Sequence, residues 1–176
     1  NVPHARLVLK SLSYRPAAVR ERFLSIFEER GVESGRVQII AERSTMAEHL
    51  AAYGGIDIAL DTFPYNGTTT TCDAMWAGVP VITLRGSWHV ARVGASLLSA
   101  VGATDLIAET PEAYVQLACD LARNRSRLAE LHRTLRERMA RSVLTDAAGY
   151  AQRLGAAYRT LWRAWCAATT SLRDSQ

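Results

Sequence analysis

Residues Ile56 to Leu84 read IDIALDTFPYNGTTTTCDAMWAGVPVITL, and this stretch decides the fold class. Ile56–Leu60 is an apolar run of strand type. The chain then turns through Pro64-Tyr65-Asn66-Gly67 into four threonines, Thr68 to Thr71. A short helix carrying Asp73 and closed by Gly78 comes next, followed by a second apolar strand, Pro80–Leu84. A strand that feeds a Gly-Thr turn and a helix N-terminus is how α/β proteins hold phosphate. The first amides of the helix lack intrahelical acceptors, and its dipole is positive at that end. Threonine hydroxyls add neutral donors, and Asp73, one turn in, is placed to accept from a sugar hydroxyl. The stretch therefore suggests a nucleotide-sugar site.

Strands and helices alternate around it. Arg6–Lys10 reads as a strand, and Arg15-Pro16 opens a helix to about Arg30, ended by Gly31. Val19, Phe23, Ile26 and Phe27 keep helical spacing within it. Val37–Ile40 is the next strand, and Thr45–Tyr53 is a helix ended by Gly54-Gly55. A helix from about His89 to Val101 is expected to bury Val90, Val93, Leu97, Leu98 and Val101. Strands separated by helices of this length predict an α/β fold, a Rossmann-like parallel sheet with right-handed crossovers and flanking helices.

After Ile107 the strands cease. One helix begins at Thr110-Pro111 and carries Tyr114, Leu117, Ala118 and Leu121 on one face. A second carries Leu128, Leu131, Leu135 and Met139. A third, from Asp146, aligns Tyr150, Leu154, Ala157, Tyr158, Leu161, Trp162 and Trp165. The expected division is a nucleotide-sugar-binding core over 1–109, a helical segment over 110–168 and a frayed tail over 169–176.

The chain's 176 residues are enough for one domain with a real core, and a composition 48% hydrophobic and 22% charged is that of an ordinary soluble protein. The net charge is +4, with arginines scattered along helices as in Arg123-Asn124-Arg125-Ser126-Arg127. That is the pattern of solvated helix faces; it lacks the dense run of a nucleic-acid footprint, and it is compatible with an anionic substrate. Cys72, Cys119 and Cys166 are far apart and lack ligand spacing, which argues for a reducing compartment and against structural zinc. No apolar run approaches membrane-spanning length, and no signal peptide precedes the fold. A cytoplasmic protein with neither nucleic-acid nor membrane partners is expected. The chain opens at Asn1 without an initiator Met and is in a strand by Leu7, so it reads as a piece of a longer polypeptide.

The residues also carry a resemblance. Its motifs are Glu48-His49, Asp57-Ile58-Ala59-Leu60-Asp61, Asn66-Gly67-Thr68-Thr69-Thr70, Asp73-Ala74-Met75-Trp76-Ala77-Gly78-Val79-Pro80 and Arg92-Val93-Gly94-Ala95-Ser96. From Val2 to about Trp165 the chain resembles the O-linked N-acetylglucosamine transferase family, SPINDLY-like, inverting, metal-independent glycosyltransferases of GT-B architecture. The resemblance implies the C-terminal, donor-binding half of the catalytic region. It also implies UDP-GlcNAc as donor, Ser/Thr hydroxyls of a protein acceptor as target, and no cofactor or metal. A further implied partner is the N-terminal catalytic half of the same polypeptide, with its tetratricopeptide repeats and most acceptor-side chemistry. The family lysine near the diphosphate would lie upstream of Asn1. No general base is found in this chain, so no catalytic residue is assigned to it.

Site residues carry over position by position. His49 matches the family histidine that packs against uracil, a role a planar imidazole suits; spacing alone also allows a solvent-facing helix residue. Thr69 and Thr70 match the pair that cradles the diphosphate, and Thr68 stands where animal members carry histidine. The four threonines also read as an ST-turn and helix cap, a role that coexists with phosphate binding. Asp73 matches the aspartate that takes the ribose hydroxyls; locally it reads as a first-turn carboxylate favouring the dipole. Ser44 and Met46 occupy the loop where relatives read uracil with backbone atoms, Met46 standing where some relatives have lysine. Arg92, in the first turn of its helix, reads either as a diphosphate contact or as a surface arginine. Lys10 ends the first strand on the ligand-binding side of an open α/β sheet, or is merely solvated. His4, His89 and His132 are assigned to the surface. Some relatives transfer glucose, or fucose from a GDP donor; His49 with the Thr-Thr-x-x-Asp spacing leans to UDP. The reading of another class is a non-catalytic nucleotide- or protein-binding module of the same fold.

Overall fold

Every strand pairing among the described residues is parallel, as crossover helices require. The structure is a computed structural model that describes residues 2–173, with side chains through 168. The chain divides into two compact units, Asn1–Ile56 and Asp57–Gln176.

In the first unit β1 (Leu7–Lys10) pairs with β2 (Val37–Ile40), Leu7 opposite Val37 and Lys10 opposite Ile40. The crossover contains α1 (Ala17–Glu28), whose Phe23 ring meets Tyr14 edge-on at 5.0 Å. The helix expected over Thr45–Tyr53 is α2 (Met46–Ala51), which tightens into a 3₁₀ turn at Ala52–Gly55. Its start is fixed by a capping box. The Thr45 hydroxyl oxygen accepts the Glu48 N–H at 3.2 Å, and Glu48 Oε2 accepts the Thr45 N–H at 2.7 Å.

The second unit holds a three-stranded sheet in the order β3 (Ala59–Leu60), β4 (Val81–Leu84), β5 (Ile107–Ala108). All four residues of β4 are buried, as befits a central strand covered on both faces. β3 is shorter than the apolar run Ile56–Leu60, and the two residues of β5 are too few to show a period in sequence. The covering helices are α3 (Thr69–Trp76), α4 (Val93–Ala100), α5 (Pro111–Arg123) and α6 (Arg125–Ala140). Met75, Ile82, Leu98, Leu106, Leu121 and Leu135 are fully buried and form the centre of the core. The Thr110 hydroxyl caps α5 by accepting the Ala113 N–H at 3.2 Å.

The helix expected from His89 to Val101 is broken. His89–Ala91 is a 3₁₀ turn, and α4 begins only at Val93, with Arg92 as its N-cap outside the first turn. Asn66 is the reason. A continuous helix would bond the Gly94 N–H to the Val90 carbonyl. Instead the Asn66 N–H takes the Val90 carbonyl at 2.9 Å, and Asn66 Oδ1 accepts the Gly94 N–H at 3.2 Å. Val90 is accordingly exposed, while Leu98 and Val101 are buried as expected.

The last helix, α7, runs Ala147–Arg173 and enters the segment expected to fray, of which residues 174–176 lie outside the described residues. Its aromatic stripe is in solvent: Tyr150, Tyr158, Trp162 and Trp165 are each about 60% exposed, and the two tryptophans stack at 5.2 Å.

Gly78, which ends α3, has φ 85°, and a Cβ there would sit 2.8 Å from the His132 carbonyl oxygen on α6. Gly78→Ala combines a left-handed backbone with a clash against main chain, and is expected to lower stability by about 2 kcal/mol or more. Urea denaturation, with the midpoint shifted and the slope unchanged, checks this.

Candidate functional site

The Gly-Thr turn is built on a buried carboxylate. Asp61, just past β3, is 6% exposed. Its Oδ1 accepts the Gly67 N–H at 2.7 Å, and its Oδ2 accepts the Thr83 hydroxyl at 2.7 Å. Its main-chain N–H donates to the Ile82 carbonyl at 2.9 Å, and its carbonyl accepts the Tyr114 hydroxyl at 2.8 Å. Burial pushes the Asp61 carboxyl above the usual carboxylate range, opposed by the Gly67 amide, the Thr83 hydroxyl and the Thr62 amide. The Tyr114 phenol is raised too, by burial and then by the Asp61 charge. Asn66, equally buried, donates through Nδ2 to the Thr62 carbonyl at 2.9 Å. From sequence Asp61 and Asn66 belong to the resemblance motifs and Thr83 to a strand, and none of them is a site candidate. The available signal was that Asp61 and Thr83 are polar residues set beside or in otherwise apolar strand runs.

The threonines follow. Thr68 is the N-cap of α3 with φ −116° and ψ −78°, and its side chain makes no cap bond. The expected hydroxyl cap is therefore absent, because an N-cap side chain reaches back over the first turn from an extended backbone. The Thr68 carbonyl accepts the Cys72 N–H at 3.1 Å and starts the helical ladder. Thr68, Thr69 and Thr70 are exposed at the head of the helix, where amides are left without helical partners. Thr71 turns inward and is buried. Asp73 is half-buried and lies beyond the first turn, so the dipole-favouring carboxylate expected there is not its geometry. Gly67 fits tightly: a Cβ would lie 2.6 Å from Thr70 Oγ1 and 2.8 Å from Thr71 Oγ1.

In the first unit three of the expected residues come together. Lys10 Nζ donates to Ser44 Oγ at 3.2 Å and sits 2.9 Å from His49 Nδ1. The His49 ring meets Tyr53 edge-on at 5.5 Å. Lys10 is thus engaged by side chains and not merely solvated. The Glu48 carboxyl lies below its ordinary range, held there by the Thr45 N–H, then the Thr45 hydroxyl, with a smaller contribution from the Lys10 charge. Met46 opens α2 with its side chain in solvent.

Arg92 Nη1 donates to the Gly86 carbonyl at 3.0 Å, and Arg85 pairs with Glu109 through Nε to Oε2 at 3.0 Å. His132, assigned to the surface from sequence, is half-buried with Nε2 2.9 Å from the Asp57 carbonyl. A shallow cavity of about 260 Å³ opens beside these loops, lined by Phe63, Pro64, Leu84, Arg85, Gly86, Ala91, Glu109 and Pro111. It sits past the C-terminal ends of β3, β4 and β5, where open α/β sheets take ligands, and none of its residues is a site candidate from sequence. Among the described residues no three His, Cys, Asp or Glu side chains gather as a metal site, and no helix is long and apolar enough to cross a membrane.

Residues 1–154 match the family described as Glycosyl transferase family 41. The chain belongs to this family. It is 46% identical over 165 residues to the probable UDP-N-acetylglucosamine–peptide N-acetylglucosaminyltransferase SPINDLY of Petunia hybrida, a stretch that covers 94% of this chain and 18% of that protein. The protein of the same name from Arabidopsis thaliana is 42% identical over the same shares. Among solved structures, a mutant O-GlcNAc transferase of Thermobaculum terrenum superposes with a TM-score of 0.86 at 36% identity. That match covers 92% of this chain and 31% of the other. The α/β fold of parallel strands and flanking helices is thus that of the family 41 catalytic region, and the chain spans under a fifth of the plant relatives' length.

Asp61 makes a pH test possible. Its folded-state pKa is raised, so the protonated form is favoured by folding. The contribution is fully present below the unfolded pKa of about 4 and is lost as pH rises through the folded value. Asp61→Asn mimics the protonated state. Its melting temperature relative to wild type should therefore increase between pH 4 and 7, read by circular dichroism melts across that range.

Proposed function

We propose that this family 41 chain binds UDP-GlcNAc and stabilises the departing UDP during inverting, metal-independent transfer of N-acetylglucosamine to Ser/Thr hydroxyls of proteins. The observation that carries the reading is the exposed Thr68–Thr70 run at the head of α3, anchored through Gly67 to a buried carboxylate. The printed names of the relatives, peptide N-acetylglucosaminyltransferases, supply the sugar and the acceptor class.

In this reading Thr69 and Thr70, with Thr68 beside them, cradle the diphosphate through hydroxyls and first-turn amides. Asp73 takes the ribose hydroxyls, and His49 stacks on uracil with Lys10 and Ser44 setting its ring. The backbone at Ser44 and Met46 reads the base edge, and Arg92 adds positive charge toward the phosphates. The acceptor hydroxyl attacks the anomeric carbon, the bond to UDP breaks with inversion, and negative charge grows on the leaving phosphate. Fixed dipoles and donors aimed at that charge lower the barrier. The acceptor's proton goes to a base that this chain does not supply. The N-terminal catalytic half and tetratricopeptide repeats of the same cytoplasmic polypeptide complete the acceptor side, and helices 110–168 pack on the core and reach toward that half.

Calorimetric titration tests the nucleotide assignment. UDP should bind in preference to GDP, undiminished by a chelator, and Asp73→Ala should weaken UDP by about 2 kcal/mol, as for a hydrogen bond involving a charged group. Equal affinity for both nucleotides would sink the donor assignment, as would indifference to Asp73→Ala. A requirement for manganese or magnesium would sink metal independence. No nucleotide binding at all would favour a protein-binding module.

The exposed stripe of α7 generates a second expectation. Apolar patches of this kind mark association. The 176-residue chain should self-associate on size-exclusion chromatography, and the N-terminal half added in trans should suppress this. A clean monomer at high concentration would count against the reach of α7 toward that half.

A further inference from the structure

We propose that Asp61 is a positioning residue for the leaving group: its carboxylate ties the Gly67 amide to the sheet and thereby aims the Thr68–Thr70 donors, without touching the ligand. The inference rests on the diphosphate reading above and adds a residue to it.

Two geometric observations and one energetic argument support it. First, the turn has no slack. Gly67 donates to Asp61 Oδ1 at 2.7 Å, and a Cβ on Gly67 would be 2.6 Å from Thr70 Oγ1 and 3.4 Å from Asp61 Oδ1. Moving the carboxylate therefore moves the threonines. Second, Asp61 is itself fixed from the far side. Its Oδ2 accepts from Thr83, a residue with no exposure at the centre of β4, and its main chain is bonded to Ile82 and Tyr114. The turn is in this way referenced to the central strand and to α5. Third, an apolar side chain would meet the packing need without the desolvation that a buried carboxylate suffers. What the carboxylate adds is direction, two acceptors pointing at two particular donors. Its negative charge is of no use to a neighbouring diphosphate, so geometry is the contribution that remains.

The charge and the geometry are separable. Asp61→Asn keeps an oxygen for the Gly67 N–H and turns its amide toward the Thr83 oxygen. Asp61→Ala leaves both the Gly67 amide and the Thr83 hydroxyl without the acceptor. Thr83→Val preserves shape and removes only the hydroxyl that orients Oδ2.

The test measures affinity for UDP and for uridine by NMR titration of the 176-residue chain, at a temperature where every variant keeps wild-type circular dichroism. The ratio of the two isolates the phosphate contribution, which a change in global stability does not move. Wild type should prefer UDP by at least about tenfold. Asp61→Ala should bring the ratio close to one with uridine affinity unchanged, Asp61→Asn should retain the wild-type ratio, and Thr83→Val should lower it severalfold. A folded Asp61→Ala that keeps the wild-type ratio overturns the proposal, and so does an Asp61→Asn as impaired as Asp61→Ala. If Asp61→Ala does not fold, Thr83→Val decides, an unchanged ratio overturning it. A wild-type ratio of one would instead remove the diphosphate reading itself, and the positioning role with it.

Discussion

The hydrogen bond from the Gly67 amide to the buried Asp61 carboxylate is the constraint around which the second unit is arranged. A carboxylate removed from water is unfavourable unless its oxygens find donors, and here each oxygen has one. Those donors come from the turn and from the central strand, 22 residues away in sequence. The Asp61 carbonyl meanwhile accepts from Tyr114, 53 residues on. One side chain and its own peptide thus join the turn, the sheet and α5. Burial pushes the Asp61 carboxyl above its usual range and holds the Tyr114 phenol neutral as a donor.

Asn66 performs the complementary task at the next loop. By taking the Val90 carbonyl and the Gly94 amide, it substitutes for one rung of a helix and forces the chain to bend at Arg92. The bend leaves Gly86 bonded to both Ala91 and the Arg92 side chain and opens the cavity beside Phe63 and Leu84. Phe63 is held there edge-on to the Tyr114 ring at 5.5 Å. Two buried polar residues at the ends of one short turn therefore shape most of the ligand-facing edge of the sheet.

Under the proposed diphosphate-binding role this architecture has a chemical logic. A leaving diphosphate accumulates charge, and dipoles already aligned before reaction stabilise it without reorganising. Donors on a helix terminus are effective only if that terminus is rigidly placed. A turn tied to a fully buried strand meets that condition better than a free loop.

Periodicity and punctuation made much of this legible from sequence. The helices with Leu131, Leu135 and Met139 or Tyr114 and Leu121 on one face, the buried strand at Val81–Leu84, and the threonine turn heading a helix are local patterns. Each is written within a few consecutive turns or residues, so spacing alone reveals it. The family resemblance added His49, Asp73 and the threonines as site candidates, whose nucleotide-sugar roles are the proposal made above. Partnerships between distant polar groups were not legible. Nothing local shows that Asp61 meets Thr83, that Asn66 interrupts the helix at Gly94, or that Lys10 meets His49 across 39 residues. Chain order determined which segments become strands and helices, because backbone sterics and side-chain burial act over short range. Only the folded sheet decided which buried polar atoms face one another, because their hydrogen bonds form where distant segments are brought together out of water.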